Sequence, residues 1–217
     1  MKNKYTDLIE QTFAFPQEGF AVQENELHWW GIPLMDLIKQ YGTPLKITYL
    51  PRIGAKIAEA RMLFGVGIAK ALYKGDYHYS YCTKSSHYAF VIEEVLKHGG
   101  HIETSSAFDL NIVENLYAAG KLSKDCFVLC NGYKKDQYIE GIARLQEAGF
   151  ENLIVILDNT NELDRLLEKT TGKLKLGLRV ASEEDPKFEF YTSRLGIRYR
   201  DIVPFYVDKI HKNKRLE

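Results

Sequence analysis

Short apolar runs alternate with longer amphipathic stretches through most of the chain. Runs rich in strand-forming residues fall near 78–83 (HYSYCT), 101–104 (HIET), 126–130 (CFVLC), 153–157 (LIVIL) and 174–180 (LKLGLRV), with starts 21 to 27 residues apart. Between them lie YAFVIEEVLKHG, AFDLNIVENLYAAG, KDQYIEGIARLQEAG and NELDRLLEKTTG. These have helical length and spacing, and each ends in Gly ahead of the next strand, the expected helix-stop chemistry. Strands alternating with helices of about a dozen residues predict repeated βα units and a parallel sheet, hence an α/β fold. Ahead of the rhythm, residues 1–33 read as irregular. A short helix is expected from Pro33 to Gly42, a strand from Leu45 to Tyr49 and a long helix from about Ile53 to Tyr73. Five or six βα units fit a doubly wound sheet or part of a (β/α)8 barrel. A complete barrel typically needs about 250 residues, and periodicity alone leaves both open.

Composition narrows the class. The 217 residues carry 29 basic and 29 acidic side chains, so the formal net charge is zero. That disfavours nonspecific nucleic-acid binding, which needs a strong basic field. No apolar run approaches the ~18 residues of a membrane helix, and three cysteines argue against a disulfide scaffold. The first residues lack the apolar core of a signal peptide. A cytoplasmic protein is the expectation.

In both candidate folds, ligands bind at the C-terminal ends of the strands. There the sequence places Lys84, Glu103, Asn131, Asp158 and Arg179, each closing an apolar run. Five polar residues in succession read as the lining of a pocket. Lys84 follows SYCT and precedes Ser85-Ser86, which can cap a helix opening near His87. A lysine at a barrel mouth is expected to be partly desolvated, which lowers its pKa and makes it a nucleophilic amine; the bland alternative is a lysine that snorkels to the surface. Glu103 either stabilises the positive charge of an imine or pairs with Lys84. Asp109 closes Ser106-Ala-Phe-Asp109, a capping-box pattern, and Asn159-Thr-Asn-Glu162 reads as a second cap. Gly65-Val-Gly67 lies inside a helical pattern and lacks the third glycine of a dinucleotide loop. Cys126 and Cys130 read as buried small hydrophobes, and no Cys or His spacing suggests a metal site.

At Lys84 the motifs meet a family. Tyr81-Cys-Thr-Lys84, followed by Gly100-His-Ile-Glu103-Thr-Ser-Ser106-Ala-Phe-Asp109, resembles the group III pyridoxal-phosphate decarboxylases that act on ornithine, diaminopimelate and arginine. Cys130-Asn131-Gly132-Tyr133-Lys134, the LGLRV strand and Ser193-Arg-Leu-Gly196 continue in the same order. The NGYK segment, the ETSS stretch and PLMDLIKQYGTPL are most similar to the biosynthetic arginine decarboxylases. The resemblance implies a (β/α)8 barrel of the pyridoxal-phosphate-binding type, here only a partial barrel of about five βα units. Residues 51–217 would form it. Residues 1–50 would be an N-terminal segment that in relatives packs with a C-terminal β domain. It further implies that Lys84 holds the cofactor as a Schiff base, that Glu103 is the acidic residue beside it, that Asp109 is a second acidic position near the cofactor, and that Arg179 closes the fifth strand in the pocket. The family's ring-stacking histidine, phosphate loop, pyridine-nitrogen glutamate and partner-subunit residues would all fall beyond Glu217, so the chain is expected to be an N-terminal part of a longer enzyme.

The activity implied is conversion of L-arginine to agmatine and carbon dioxide, an entry to polyamines, by a homodimer or larger homo-oligomer. The alternatives are an ornithine, diaminopimelate or carboxynorspermidine decarboxylase, an alanine racemase, a non-catalytic cofactor-binding or regulatory relative, and a barrel unrelated to the cofactor.

Overall fold

A computed structural model describes residues 18–181 and 195–217. The chain divides into two units, Met1–Thr48 and Tyr49–Glu217.

In the first unit, the stretch read as irregular holds an antiparallel meander of β1 (Phe20–Gln23), β2 (Glu26–Trp29) and β3 (Ile32–Pro33). Both connections are two-residue turns with positive φ at each central position: Glu24 and Asn25 at 49° and 68°, Trp30 and Gly31 at 50° and 79°. That is the turn whose twist matches paired strands. Alternation over only four residues was too short to announce a strand. The expected short helix is present as α1 (Leu34–Tyr41), stopped by Gly42 at φ 80°. The expected strand at Leu45–Tyr49 is not formed among the described residues. A β-prone run with no ladder partner remains extended chain.

The second unit begins with α2 (Pro51–Ala71), which contains Gly65 and Gly67 in its interior. Its Arg61 guanidinium donates to His98 O at 2.8 Å and Gly99 O at 2.6 Å, the carbonyls that end the next helix. The βα rhythm follows: β4 (Ser80–Cys82), α3 (Ala89–Lys97), β5 (His101–Thr104), α4 (Ala107–Ala118), β6 (Val128–Asn131), α5 (Asp136–Glu147), β7 (Leu153–Leu157), α6 (Glu162–Lys169) and β8 (Lys175–Leu178). Gly99, Gly120 and Gly149 end α3, α4 and α5 with φ of 68°, 68° and 85°. Only glycine adopts that conformation without cost.

The five strands are all parallel and lie in sequence order, β4-β5-β6-β7-β8. A doubly wound sheet reverses its strand order at a switch point. Here there is no reversal, so each helix crosses in the same sense, as in a (β/α) barrel. Alternation along the strands separates two faces. Ile102, Val128, Cys130, Val155 and Leu157 are buried beneath the helices. Cys126 and Cys130 are both buried, and burial pushes each thiol up to about 11. Cys82, Glu103, Leu129, Ile154 and Gly177 lie on the opposite face.

A barrel ending after five strands is expected to leave a bare parallel edge. The edge of β8 is instead partly covered. Val180 bridges Ile197, and Leu174 bridges Leu216, both in parallel. Leu176 N–H donates to Glu217 O at 2.9 Å, and Glu217 N–H to Leu174 O at 2.9 Å, so the last residues sit in the position of a sixth strand. Gly196 touches the far end of β8. A Cβ there would lie 2.8 Å from Ala181 N and 2.9 Å from Arg179 O. Of the SRLG segment, Ser193 and Arg194 lie outside the described residues.

Candidate functional site

The register places two of the strand-end residues, Glu103 and Asn131, on one side of the sheet. Cys82 pairs with Glu103, Glu103 with Leu129, Asn131 with Ile156, and Ile156 with Gly177. Neighbours in register share a face, so Glu103 and Asn131 project to the same side. Asn131 Nδ2 donates to Glu103 Oε1 at 3.0 Å. That bond orients the amide and leaves Asn131 Oδ1 a buried acceptor with no hydrogen-bond partner among the described residues. One strand further, Arg179 Nη1 donates to Asp158 Oδ1 at 3.1 Å. The Asp158 side chain is only 3% exposed, the Arg179 side chain 39%. The strand ends therefore form two charge-assisted pairs, Glu103–Asn131 and Asp158–Arg179.

Lys84 departs from expectation. The chain after β4 makes a 3-10 turn, Thr83–Ser85, and α3 starts only at Ala89, so Ser85-Ser86 caps no helix. Thr83 is buried and its Oγ1 donates to Glu103 O at 3.1 Å, pinning the turn to β5. Tyr81 Oη donates to Ser86 O at 3.0 Å and closes it from the other side. Lys84, between these anchors, is exposed. The expected desolvation is thus not found, because the turn lifts the side chain past the last strand residue into solvent. No ion pair joins Lys84 to Glu103 among the described residues, since Glu103 bonds Asn131 instead. Cys82, absent from the strand-end set, interacts with both. Burial raises its thiol pKa; the Lys84 backbone and ammonium oppose this and the Glu103 carboxylate reinforces it.

Asp109 is buried at the start of α4, and the expected capping box is shifted by one residue. Asp109 Oδ2 accepts from Ser105 N–H at 2.7 Å and from Ser105 Oγ at 3.0 Å, while Ser106 makes no side-chain cap. The second expected cap also differs. Asn159 Oδ1 accepts from Asn161 N–H at 3.0 Å in a local turn, but Glu162 reaches into the interior.

Glu162 and Lys134 form a fully buried ion pair, 1% and 0% exposed, with Nζ 3.6 Å from Oε2. Glu162 Oε1 accepts from Lys134 N–H at 2.8 Å, and Oε2 from Asp158 N–H at 2.9 Å. Lys134 Nζ donates to Gly132 O at 2.6 Å and also to Ile156 O. Burial pulls the Lys134 pKa below the usual lysine value, and the Glu162 carboxylate opposes that shift. Nothing in a Tyr-Lys-Lys-Asp loop separates a buried lysine from an exposed one, so this pair is a feature that only the fold displays. Gly132 brings the loop after β6 against the loop after β5: a Cβ there would sit 2.3 Å from Ser105 O.

Primary amine, carboxylates, oriented amide and guanidinium at one end of a parallel sheet suit a ligand that offers an electrophilic carbon, hydrogen-bonding groups and negative charge. No cluster of three or more metal-ligating side chains occurs among the described residues, and none of their helices is long and apolar enough to cross a membrane.

No family model matches the chain. The biosynthetic arginine decarboxylase of Citrifermentans bemidjiense is 24% identical over 193 residues, which is 84% of this chain and 30% of that protein. The protein of that name from Prochlorococcus marinus is 25% identical, covering 82% of this chain and 29% of its own length. The chain therefore spans under a third of these curated relatives. Among solved structures, diaminopimelate decarboxylase from M. jannaschii superimposes with a TM-score of 0.72 at 16% identity, covering 93% of this chain and 46% of that one. Lysine decarboxylase from Selenomonas ruminantium gives a TM-score of 0.59 at 12% identity, covering 88% and 43%. Over most of its length, then, the chain is a distant homologue of proteins named biosynthetic arginine decarboxylase, and it shares the fold of the matched part of the diaminopimelate and lysine decarboxylases.

Proposed function

We propose that this chain is the first part of a pyridoxal-phosphate-dependent carboxy-lyase that converts L-arginine to agmatine and carbon dioxide. The observation that carries the reading is the exposed primary amine of Lys84, held by a rigid turn beside Cys82 and Glu103 at the strand ends of a sequentially ordered parallel sheet. The names of the curated relatives support arginine as the substrate. The residues fit the cofactor. Lys84 supplies an amine for its aldehyde. Arg179, steadied by the buried Asp158, supplies a positive charge for an anionic ligand, and Asn131 Oδ1 is an acceptor still in need of a donor. When bound, the cofactor supplies an electron sink for the pair of electrons left by departing carbon dioxide.

The chain's own residues bind and orient. Lys84 tethers and releases through its amine, a role only a primary amine can fill. In this reading Glu103, oriented by Asn131, is the acidic residue of the cofactor pocket, and Asp109 fixes the turn after β5 that carries Ser105 and Ser106. Residues 1–50 belong with a C-terminal β domain in this reading, and the working form is a cytoplasmic homodimer or larger homo-oligomer. Exposed Met62, Leu63, Phe64 and Val66 on α2 support association.

The test is chemical. The full-length protein is incubated with pyridoxal phosphate, reduced with borohydride and mapped by mass spectrometry. A label on Lys84, together with agmatine production that Lys84→Ala abolishes, is expected. Agmatine production undiminished in Lys84→Ala would overturn the assignment. Turnover of diaminopimelate or ornithine in place of arginine would keep the chemistry and change the substrate.

A further inference from the structure

The buried Lys134–Glu162 pair is larger in consequence than in stability. Replacing a buried ion pair by apolar groups of similar volume is often neutral or favourable, because desolvation offsets the attraction. What the pair does supply is geometry. Glu162 holds the backbone N–H groups of Lys134 and Asp158 on its two oxygens, at 2.8 and 2.9 Å. Lys134 Nζ holds Gly132 O and Ile156 O. Gly132 follows Asn131, and Ile156 stands two residues before Asp158. Each of the two site pairs therefore hangs from the same buried contact. Asn131, which bonds Glu103, is fixed through the carbonyl after it. Asp158, which bonds Arg179, is fixed through its own amide. Arg165 braces the arrangement from outside, donating to Lys134 O at 3.1 Å and pairing with Asp136.

We infer that Lys134 and Glu162 are positioning residues that lock the strand ends of β6 and β7 in register, so that Asn131 and the Asp158-held Arg179 present a preformed face to the cofactor. This rests on the proposed cofactor reading. Neither residue touches the ligand; each acts through the strand-end residue it holds. Preorganised groups bind more tightly because the ordering cost is met before the ligand arrives.

A thermodynamic cycle separates positioning from plain structure. The full-length protein, Lys134→Met/Glu162→Gln, Arg179→Ala and the triple variant are compared. Circular dichroism reports folding, and protein fluorescence reports the dissociation constant for pyridoxal phosphate. The Lys134→Met/Glu162→Gln variant is expected to bind about tenfold more weakly, the size of one hydrogen bond to a charged group. In the Arg179→Ala background the same pair of substitutions is expected to change affinity much less. A folded Lys134→Met/Glu162→Gln protein that binds like the parent would overturn the inference, as would equal losses in both backgrounds. If that variant does not fold, Glu162→Asp, which keeps the charge and shortens the reach, enters the same cycle with the same expectations. Failure of the underlying reading looks different: no borohydride-trapped label appears on Lys84 in the unsubstituted protein, which overturns both.

Discussion

Arg179 Nη1 donates to Asp158 Oδ1 at 3.1 Å, across the ends of two adjacent parallel strands and 21 residues of sequence. The carboxylate is buried and the guanidinium half-exposed, so the aspartate acts as a fixed post and the arginine as the group that can still reach a ligand. Asp158→Asn removes the charge and keeps the shape. It is expected to weaken pyridoxal-phosphate binding by about tenfold, the size of a lost charge-assisted hydrogen bond, with little change in fold. Titration followed by fluorescence checks this, and unchanged affinity would remove Arg179 from the pocket.

Gly132 is expected to be intolerant of any side chain. An added Cβ would meet Ser105 O, a backbone atom held by the Asp109-stabilised turn, at 2.3 Å. Gly132→Ala is expected to cost about 1–3 kcal/mol by overpacking. Urea denaturation of the variant measures it, and a cost near zero would mean that the two loops part easily.

Acid is expected to destabilise the second unit through His101. Its Nδ1 accepts the Phe127 N–H at 3.2 Å, and its Nε2 lies 3.3 Å from His78 Nδ1. The accepting Nδ1 requires a neutral ring with its proton on Nε2, directed at His78. Burial lowers the pKa below the ordinary 6.5, and His78 and Arg61 add to the shift. The unfolded state thus binds a proton that the folded state resists. Stability is complete above about 6.5 and declines as pH falls from there toward the lower folded value. Denaturant midpoints from pH 7 to 5 are expected to fall more steeply for the parent than for His101→Gln. Parallel profiles would assign the acid sensitivity elsewhere.

The 217-residue chain alone is expected to yield no agmatine above background. Barrels of this class usually bind phosphate through the loops after strands seven and eight, and the described residues form five barrel strands with a bridge in the sixth position. Loss of one preorganised charge-stabilising group commonly costs about 10²-fold or more. Radiolabelled carbon dioxide release compares the chain with the full-length protein. Turnover by the chain alone would show that loops after a seventh and eighth strand are not needed for this chemistry.

Self-association of the isolated chain is a further expected outcome. Met62, Leu63, Phe64, Val66, Leu72 and Tyr73 are all at least half exposed on or just after α2. Light scattering across a concentration series is expected to show mass rising above 25.0 kDa. A constant monomer mass at high concentration would count against it.

Local periodicity and glycine stops sufficed for the five parallel strands, within a few residues at their ends, and for the six expected helices, because alternation and capping are properties of neighbouring residues. Lys84, Glu103, Asn131, Asp158 and Arg179 were legible as strand ends for the same reason. The meander at Phe20–Pro33 was not, since its strands are too short to show a period and depend on turns taken at positive φ. Nor did the strand expected at Leu45–Tyr49 form, since β propensity needs a partner across the ladder. The choice between barrel and doubly wound sheet, left open by periodicity alone, came from the motif resemblance and is borne out by the strand order; the pairing of Glu103 with Asn131 in place of Lys84, the exposure of Lys84 and the burial of Lys134 against Glu162 were decided only by the fold. Each depends on which strand lies beside which, and hydrogen bonds between groups some 28 residues apart leave no mark on local pattern.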